Sequence, residues 1–209
     1  MNKFGYSKTE AKLFRRLSSP KKIQDYINSL PFNFDEGNDT CMSPRLVIKN
    51  KTAHCMEGAM FAAAALEFHG WRPLVVDLRS VKKPFDYDHV VAIFNQFGCF
   101  GSISKTNHAV LRYREPIYKS VRELVMSFFH EYYLENGKKT LREYSDPVDL
   151  SHFDKINWRT TAEDLHVVPD YLDTVSHHQI LSKEQIKNLR KVDPIEVRAG
   201  DEDEYSPKK

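Results

Sequence analysis

The stretch from Cys55 to His69 constrains this chain more than any other. It is dominated by Ala, Met, Leu and Phe, carries Ala62 to Ala65 in a row, and is followed by Gly70, where a left-handed C-terminal cap is wanted. A segment with so little polar surface forms a helix buried nearly all round. Gly58, Ala59 and the four alanines let neighbouring backbone approach closely, which places the helix at the centre of a domain. Thr52 or His54 is the expected N-terminal cap, so Cys55 falls in the first turn. A helix covered on every side needs enough chain to cover it. The 209 residues, 41% of them apolar and 12% aromatic, supply that for one globular domain and not for several.

The flanking segments read as the cover. Ser7-Lys8-Thr9-Glu10 has the form of a capping box and predicts a short helix through Leu17. Ser19-Pro20 starts a second, with Ile23, Tyr26, Ile27 and Leu30 on one face and a stop at Pro31. Residues 32–51, rich in Asn, Asp, Gly and Pro, read as an extended connection. After the central helix come β-rich runs at Leu74–Leu78, His89–Phe94, Cys99–Ile103 and Ala109–Tyr113. The connections after Val90 are too short for crossover helices, so the sheet is expected to be mainly antiparallel. Ser120-Val121-Arg122-Glu123 opens an amphipathic helix carrying Leu124, Val125, Phe128, Phe129 and Tyr132 and ending near Gly137. Beyond Lys138 the pattern weakens to one short helix after Ser182. The fold class is therefore α+β, a central buried helix packed on a mainly antiparallel sheet with flanking helices.

Charge and cysteine usage narrow the function classes. Thirty-one Lys and Arg against 29 Asp and Glu leave a net charge of +2, which makes no case for a nucleic-acid or membrane-surface partner. No apolar run reaches the ~20 residues of a bilayer span. Residues 1–16 lack the apolar core of a secretory signal, and the expected location is cytoplasmic. Seven Lys and Arg stand against Glu10 alone in the first 22 residues; they read as the solvated face of the N-terminal helices rather than a site for an acidic partner. Cys41, Cys55 and Cys99 are odd in number, so reduced thiols are expected, and neither they nor the adjacent His177-His178 have the spacing of a zinc site. No metal and no organic cofactor is implied.

A thiol in the first turn of a buried helix lies where unpaired amides and the helix dipole favour its thiolate. Cys55 is thus the candidate nucleophile, although a small buried thiol also serves simply as packing. A nucleophilic thiol needs a base, and that base needs a group to orient it. His89 is placed for the first role, opening a strand directly after Asp86-Tyr87-Asp88. The other histidines have plainer readings: His54 beside the cap, His69 at a helix C-terminus, His130 on a solvent face. Tyr144, His152, Phe153 and Trp158 either lie over the site or pack on the sheet.

The segments Ala53-His54-Cys55-Met56-Glu57-Gly58-Ala59, Asp88-His89-Val90-Val91-Ala92-Ile93-Phe94 and Gly98-Cys99-Phe100-Gly101-Ser102-Ile103-Ser104-Lys105-Thr106 together resemble the transglutaminase-like superfamily, related in fold and Cys-His-Asp triad to papain-like cysteine proteases. The resemblance covers roughly residues 19–133. It implies a transglutaminase-like, cysteine protease-like core, taken with the N-terminal helices as residues 1–145; residues 146–200 read as an extension packed on it, and 201–209, charged and without an aliphatic side chain, as a disordered tail. It also implies Cys55 as nucleophile and His89 as general base. The family's aspartate position falls on Ser104, which accepts a hydrogen bond but brings no counter-charge. Ser104, Asp88 and Asn107 all remain open as the group that orients His89. Ala53 and Val91 stand where relatives often carry glycine and an aromatic.

The expected activity is a cysteine-dependent amide or peptide hydrolase, or an acyl transferase, working through a thioester on a peptide, protein or small amide substrate. The alternative is a catalytically weak or inactive module of the same fold that binds a protein or peptide in its cleft.

Overall fold

The computed structural model describes residues 4–34 and 39–206. Each N-terminal helix starts at the serine the sequence marks. α1 (Lys8–Arg16) is closed by a Ser7–Glu10 capping box, and α2 (Pro20–Asn28) by the Ser19 hydroxyl, which accepts from the Lys22 amide. The segment 32–51 is not a continuous connection. It contains α3 (Pro44–Asn50), begun by Ser43 with proline at the first helical position, the same device that starts α2. The central helix α4 spans Cys55–Phe68, capped by His54 rather than Thr52, and every residue from Met56 to Leu66 is buried.

Seven strands form one open sheet. β1 (Leu74–Arg79), β2 (His89–Gln96), β3 (Cys99–Ile103), β4 (Arg114–Tyr118), β5 (Glu143–Ser145) and β7 (His177–Gln179) run in the order β4-β3-β2-β1-β5-β7. The two-residue β6 (Val148–Asp149) shares the outer edge of β1 with β5. Every strand pairing is antiparallel, with Leu78 opposite His89 and Ala92 opposite Ile103. Both faces of the sheet are covered, which explains the unbroken apolar runs in β1 and β2. Val75, Val90, Ala92 and Phe94 pack toward α4 and the other N-terminal helices. Val76, Leu78, Val91 and Ile93 pack on the opposite face against α5 (Val121–Met126) and Phe128, Phe129 and Tyr132.

Three further sequence expectations are corrected. The strand expected at 109–113 lies at 114–118 instead. Leu111 adopts φ +61°, and the Ala109 amide donates to the Glu202 carbonyl, so the run is tied into a loop. The helix after Ser120 stops at Met126, because the Ser127 hydroxyl and the Arg114 guanidinium take the Leu124 and Ser127 carbonyls; Phe129–Glu131 follows as a single 3₁₀ turn. The tail expected to be disordered is held at residues 201–206. The Asn107 side chain exchanges two 2.9 Å hydrogen bonds with the Tyr205 backbone, and Asp203 bridges His108. Residues 207–209 of that expectation, and Lys3 of the basic run, lie outside the described residues. The region after Lys138 adds three short strands and the helices α6 (Val167–Thr174), α7 (Lys183–Lys187) and α8 (Pro194–Gly200). Among the described residues no helix is long and apolar enough to cross a membrane.

Candidate active site

Antiparallel pairing puts the start of β2 and the end of β3 at one end of the sheet, where α4 also begins. His89 is the first residue of β2, Ser104 follows the last residue of β3, and Cys55 is the first of α4. His89 Nε2 lies 2.8 Å from Ser104 Oγ, and both residues are buried. The Cys55 thiol lies close enough to the His89 and His54 rings for both to act on its ionisation.

Hydrogen-bond direction fixes how His89 is protonated. Ser104 Oγ has one proton, and it donates that proton to the Leu111 carbonyl at 2.6 Å. Toward His89 it can then only accept. Nε2 therefore carries hydrogen, and in the neutral ring Nδ1 does not. Ser104 is itself pinned. The Gln24 side-chain amide donates to the Ser104 carbonyl at 2.7 Å and accepts from the Ser104 amide at 2.9 Å, as a neighbouring strand would. Behind Ser104, Gly58 of α4 meets Lys105 so closely that a Cβ there would stand 2.4 Å from Lys105 Cβ. The glycine lets the central helix and the Ser104 segment touch.

The other two candidates for orienting His89 are engaged elsewhere. The Asp88 carboxylate accepts from the Ser80 amide at 2.7 Å, and Asn107 is committed to Tyr205. Asp88 belongs instead to the bracing of the loop before His89. In the same loop the Ser80 hydroxyl donates to the Asp86 carbonyl, Thr140 donates to the Asp86 carboxylate, and the Tyr132 hydroxyl donates to the Tyr87 carbonyl. Burial pushes the Tyr132 phenol well up, with help from the nearby Asp86, Asp88 and Cys55 charges, so it stays protonated.

The thiol moves the other way. Burial opposes ionisation of Cys55, but hydrogen bonds from His54 and His89 and the charge on each ring outweigh it and bring the thiol down to about 5. Cys41 is pushed up instead, by burial first and then by the Glu57 and Asp164 carboxylates.

Two features of this arrangement escape a linear reading. Gln24 sits on α2 among core positions, with no local pattern to separate it from a solvated glutamine. Glu57, fully buried one turn into an apolar helix, accepts from the His54 and Met42 amides and the Thr40 hydroxyl, each at 2.9 Å, and from Asn33 at 3.1 Å. That carboxylate fastens Asn33, Thr40 and Met42 beside the start of α4; its signal was the Glu three residues after the cap. Tyr144, His152, Phe153 and Trp158 serve as packing. Trp158 and Phe153 enter the α4-side core, Tyr144 packs on the other core, and His152 stacks on Tyr171.

His177 and His178 diverge, the first to buried Asp77 at 3.1 Å and the second to exposed Asp146 at 2.7 Å. Asp77, Asp88 and Asp173 form an acidic cluster in which Arg79 already binds Asp173 at 3.0 Å. No family model matches the chain, and no curated protein matches it in sequence.

Proposed function

We propose that the protein is a cysteine-dependent acyl-transfer enzyme with a transglutaminase-like core, hydrolysing an amide or peptide bond through a thioester on Cys55. The observation that carries the reading is the Ser104 hydroxyl between His89 Nε2 and the Leu111 carbonyl, which leaves His89 Nδ1 without hydrogen beside Cys55. With the thiol near 5, thiolate exceeds thiol by about a hundredfold at pH 7.

In the proposed reaction the thiolate attacks the carbonyl carbon, and the oxyanion faces backbone amides at the start of α4. His89 passes its proton to the leaving amine. Water, deprotonated by the same ring, then attacks the thioester and releases the acid and the thiol. Hydrolysis, crosslinking and deamidation share the first half of this sequence and differ in what intercepts the thioester. Hydrolysis is preferred because water is always available.

One observation favours a second reading, a catalytically weak module that binds a peptide or protein in this cleft. The group behind His89 is a hydroxyl and not a carboxylate, so nothing there balances the charge on an imidazolium. The test is the rate of iodoacetamide alkylation of Cys55 from pH 5 to 9, resolved by peptide mass spectrometry, in the wild type and His89→Ala. The enzyme reading expects fast labelling at pH 6 that falls in the variant. A thiol inert below pH 8, or indifferent to His89, leaves the binding module.

A further inference from the structure

His54 does more than cap α4. Its Nε2 lies 2.9 Å from the Thr40 carbonyl, which can only accept, so Nε2 carries hydrogen. Its Nδ1 accepts from the Met56 amide at 3.2 Å and is therefore bare, and it looks into the turn that holds the Cys55 thiol. Glu57 Oε1 stands 3.5 Å from Nε2, fixed by donors from three directions. The site thus contains two imidazoles, each with hydrogen on Nε2 and none on Nδ1, the Nδ1 of His54 being held by the Met56 amide in the turn of Cys55. A hydroxyl backs one of them and a buried carboxylate backs the other.

We propose that His54 is a positioning and proton-sharing residue for Cys55, and that Glu57 behind it supplies the counter-charge that Ser104 does not supply behind His89. The inference rests on the acyl-transfer reading above. The step is a single proton transfer. The S–H bond of Cys55 breaks, an N–H bond forms at His54 Nδ1 or His89 Nδ1, and no other bond changes. Once Nδ1 of His54 is protonated it can no longer accept from Met56. That amide is then free to donate to the thiolate or to an oxyanion, so protonation of His54 also frees a donor at the helix start.

The surroundings agree. Burial opposes charge on His54, but a Cys55 thiolate, the Glu57 carboxylate and the Thr40 carbonyl carry the ring up to about 9. From the other packed elements the pair faces His89 of β2, the Tyr132 phenol, and Cys41 with Asp39 and Asp164 beyond it. Tyr132 and Cys41 are held protonated, so the two rings and Glu57 are what remain to set the charge at the thiol.

The test is the alkylation profile of Cys55 from pH 4 to 9 in wild type, His54→Asn and His89→Ala. Asparagine keeps an oxygen that accepts from the Met56 amide and is among the best capping residues, so the helix start is preserved while the titrating ring is lost. The expected result is a midpoint at least one pH unit higher in His54→Asn, about tenfold less thiolate at pH 6, with an unchanged far-UV spectrum. A His54→Asn profile that overlays a low wild-type midpoint, while His89→Ala shifts it, overturns this role and leaves the acyl-transfer reading standing. A wild-type thiol inert below pH 8 removes that reading and this one with it. Imidazole nitrogen shifts need no variant at His54: at pH 7 they are expected to show a protonated ring in the wild type and a neutral Nε2–H tautomer in Cys55→Ala. A His54 ring unchanged between the two overturns the sharing.

Discussion

Replacing Ser104 by alanine removes two bonds from a residue that has almost no contact with water, 1% exposed. The Leu111 carbonyl loses its 2.6 Å donor and His89 Nε2–H loses its 2.8 Å acceptor. Leaving a buried polar group unpaired costs about 1–3 kcal/mol, so two such groups with partial relaxation of the 105–111 loop cost about 2–4 kcal/mol. Unfolding entropy near the transition is about 2.1 cal/mol/K per residue, roughly 0.44 kcal/mol/K for this chain, and the expected fall in Tm is about 5–9 °C. The second readout is chemical. The lost acceptor stabilises the imidazolium form of His89 more than the neutral form, by about 1.5 kcal/mol, so the alkylation midpoint of Cys55 rises by about one pH unit. Differential scanning fluorimetry gives the first number and pH-resolved alkylation the second. A variant that melts lower with the midpoint unmoved would show that Ser104 holds the loop and does nothing for the base. A variant with neither change would refute the hydrogen-bond directions from which the His89 tautomer follows.

Gly58→Ala places a methyl group 2.4 Å from Lys105 Cβ, an atom fixed to the backbone beside Ser104, so a loss of about 1–3 kcal/mol in chemical denaturation is expected together with slower Cys55 labelling; a variant as stable and as reactive as wild type would contradict the close contact. Lys105 is buried with its ammonium on the Leu30 carbonyl, and burial brings it down from 10.5 to about 8. Between those values the unfolded chain binds the proton that the folded one has released, so this group makes stability rise with pH across roughly 8 to 10, and that contribution is expected to be absent in Lys105→Met, whose stability changes less favourably with pH over this range. Parallel urea titrations of the two proteins at pH 8, 9 and 10 decide it, and identical slopes would refute it.

What the sequence made legible follows the range of the interactions concerned. α1, α2 and α4 begin where Ser7, Ser19 and His54 cap them, since a cap and the amides it satisfies lie within three residues. β2 and β3 are found at their expected starts because their apolar runs are buried on both faces. α3 carried the same Ser-Pro start as α2 but lay hidden in a stretch whose Asn, Asp and Gly content argued for loop. The strand at 114–118 reads Arg-Glu-Pro-Ile-Tyr, a sequence with proline and two charges that an edge position tolerates and a propensity scale does not favour. The three strands after Lys138 are two or three residues long, too short for any period to register. Tail residues 201–206 are held by pairing with the 107–109 loop, a contact across about a hundred residues of sequence that composition cannot encode.

The same distinction explains the site. Cys55 and His89 were legible because each announces itself locally, one at a helix start and one at a strand start. Gln24 and the Leu111 carbonyl were not, because their roles exist only across separations of 80 and 7 residues, through bonds to one serine. Those bonds also account for the serine. A side chain at position 104 must accept from an imidazole and at the same time donate to a carbonyl 2.6 Å away. A carboxylate can do the first but meets the carbonyl with charge of the same sign, whereas a hydroxyl does both. The departure from the expected aspartate is therefore tied to the path of the 105–111 loop, and a carboxylate that supports the thiol has to enter from another direction. Glu57, two residues after Cys55 in the first turn of the helix and 3.5 Å from His54 Nε2, is the buried carboxylate in that position.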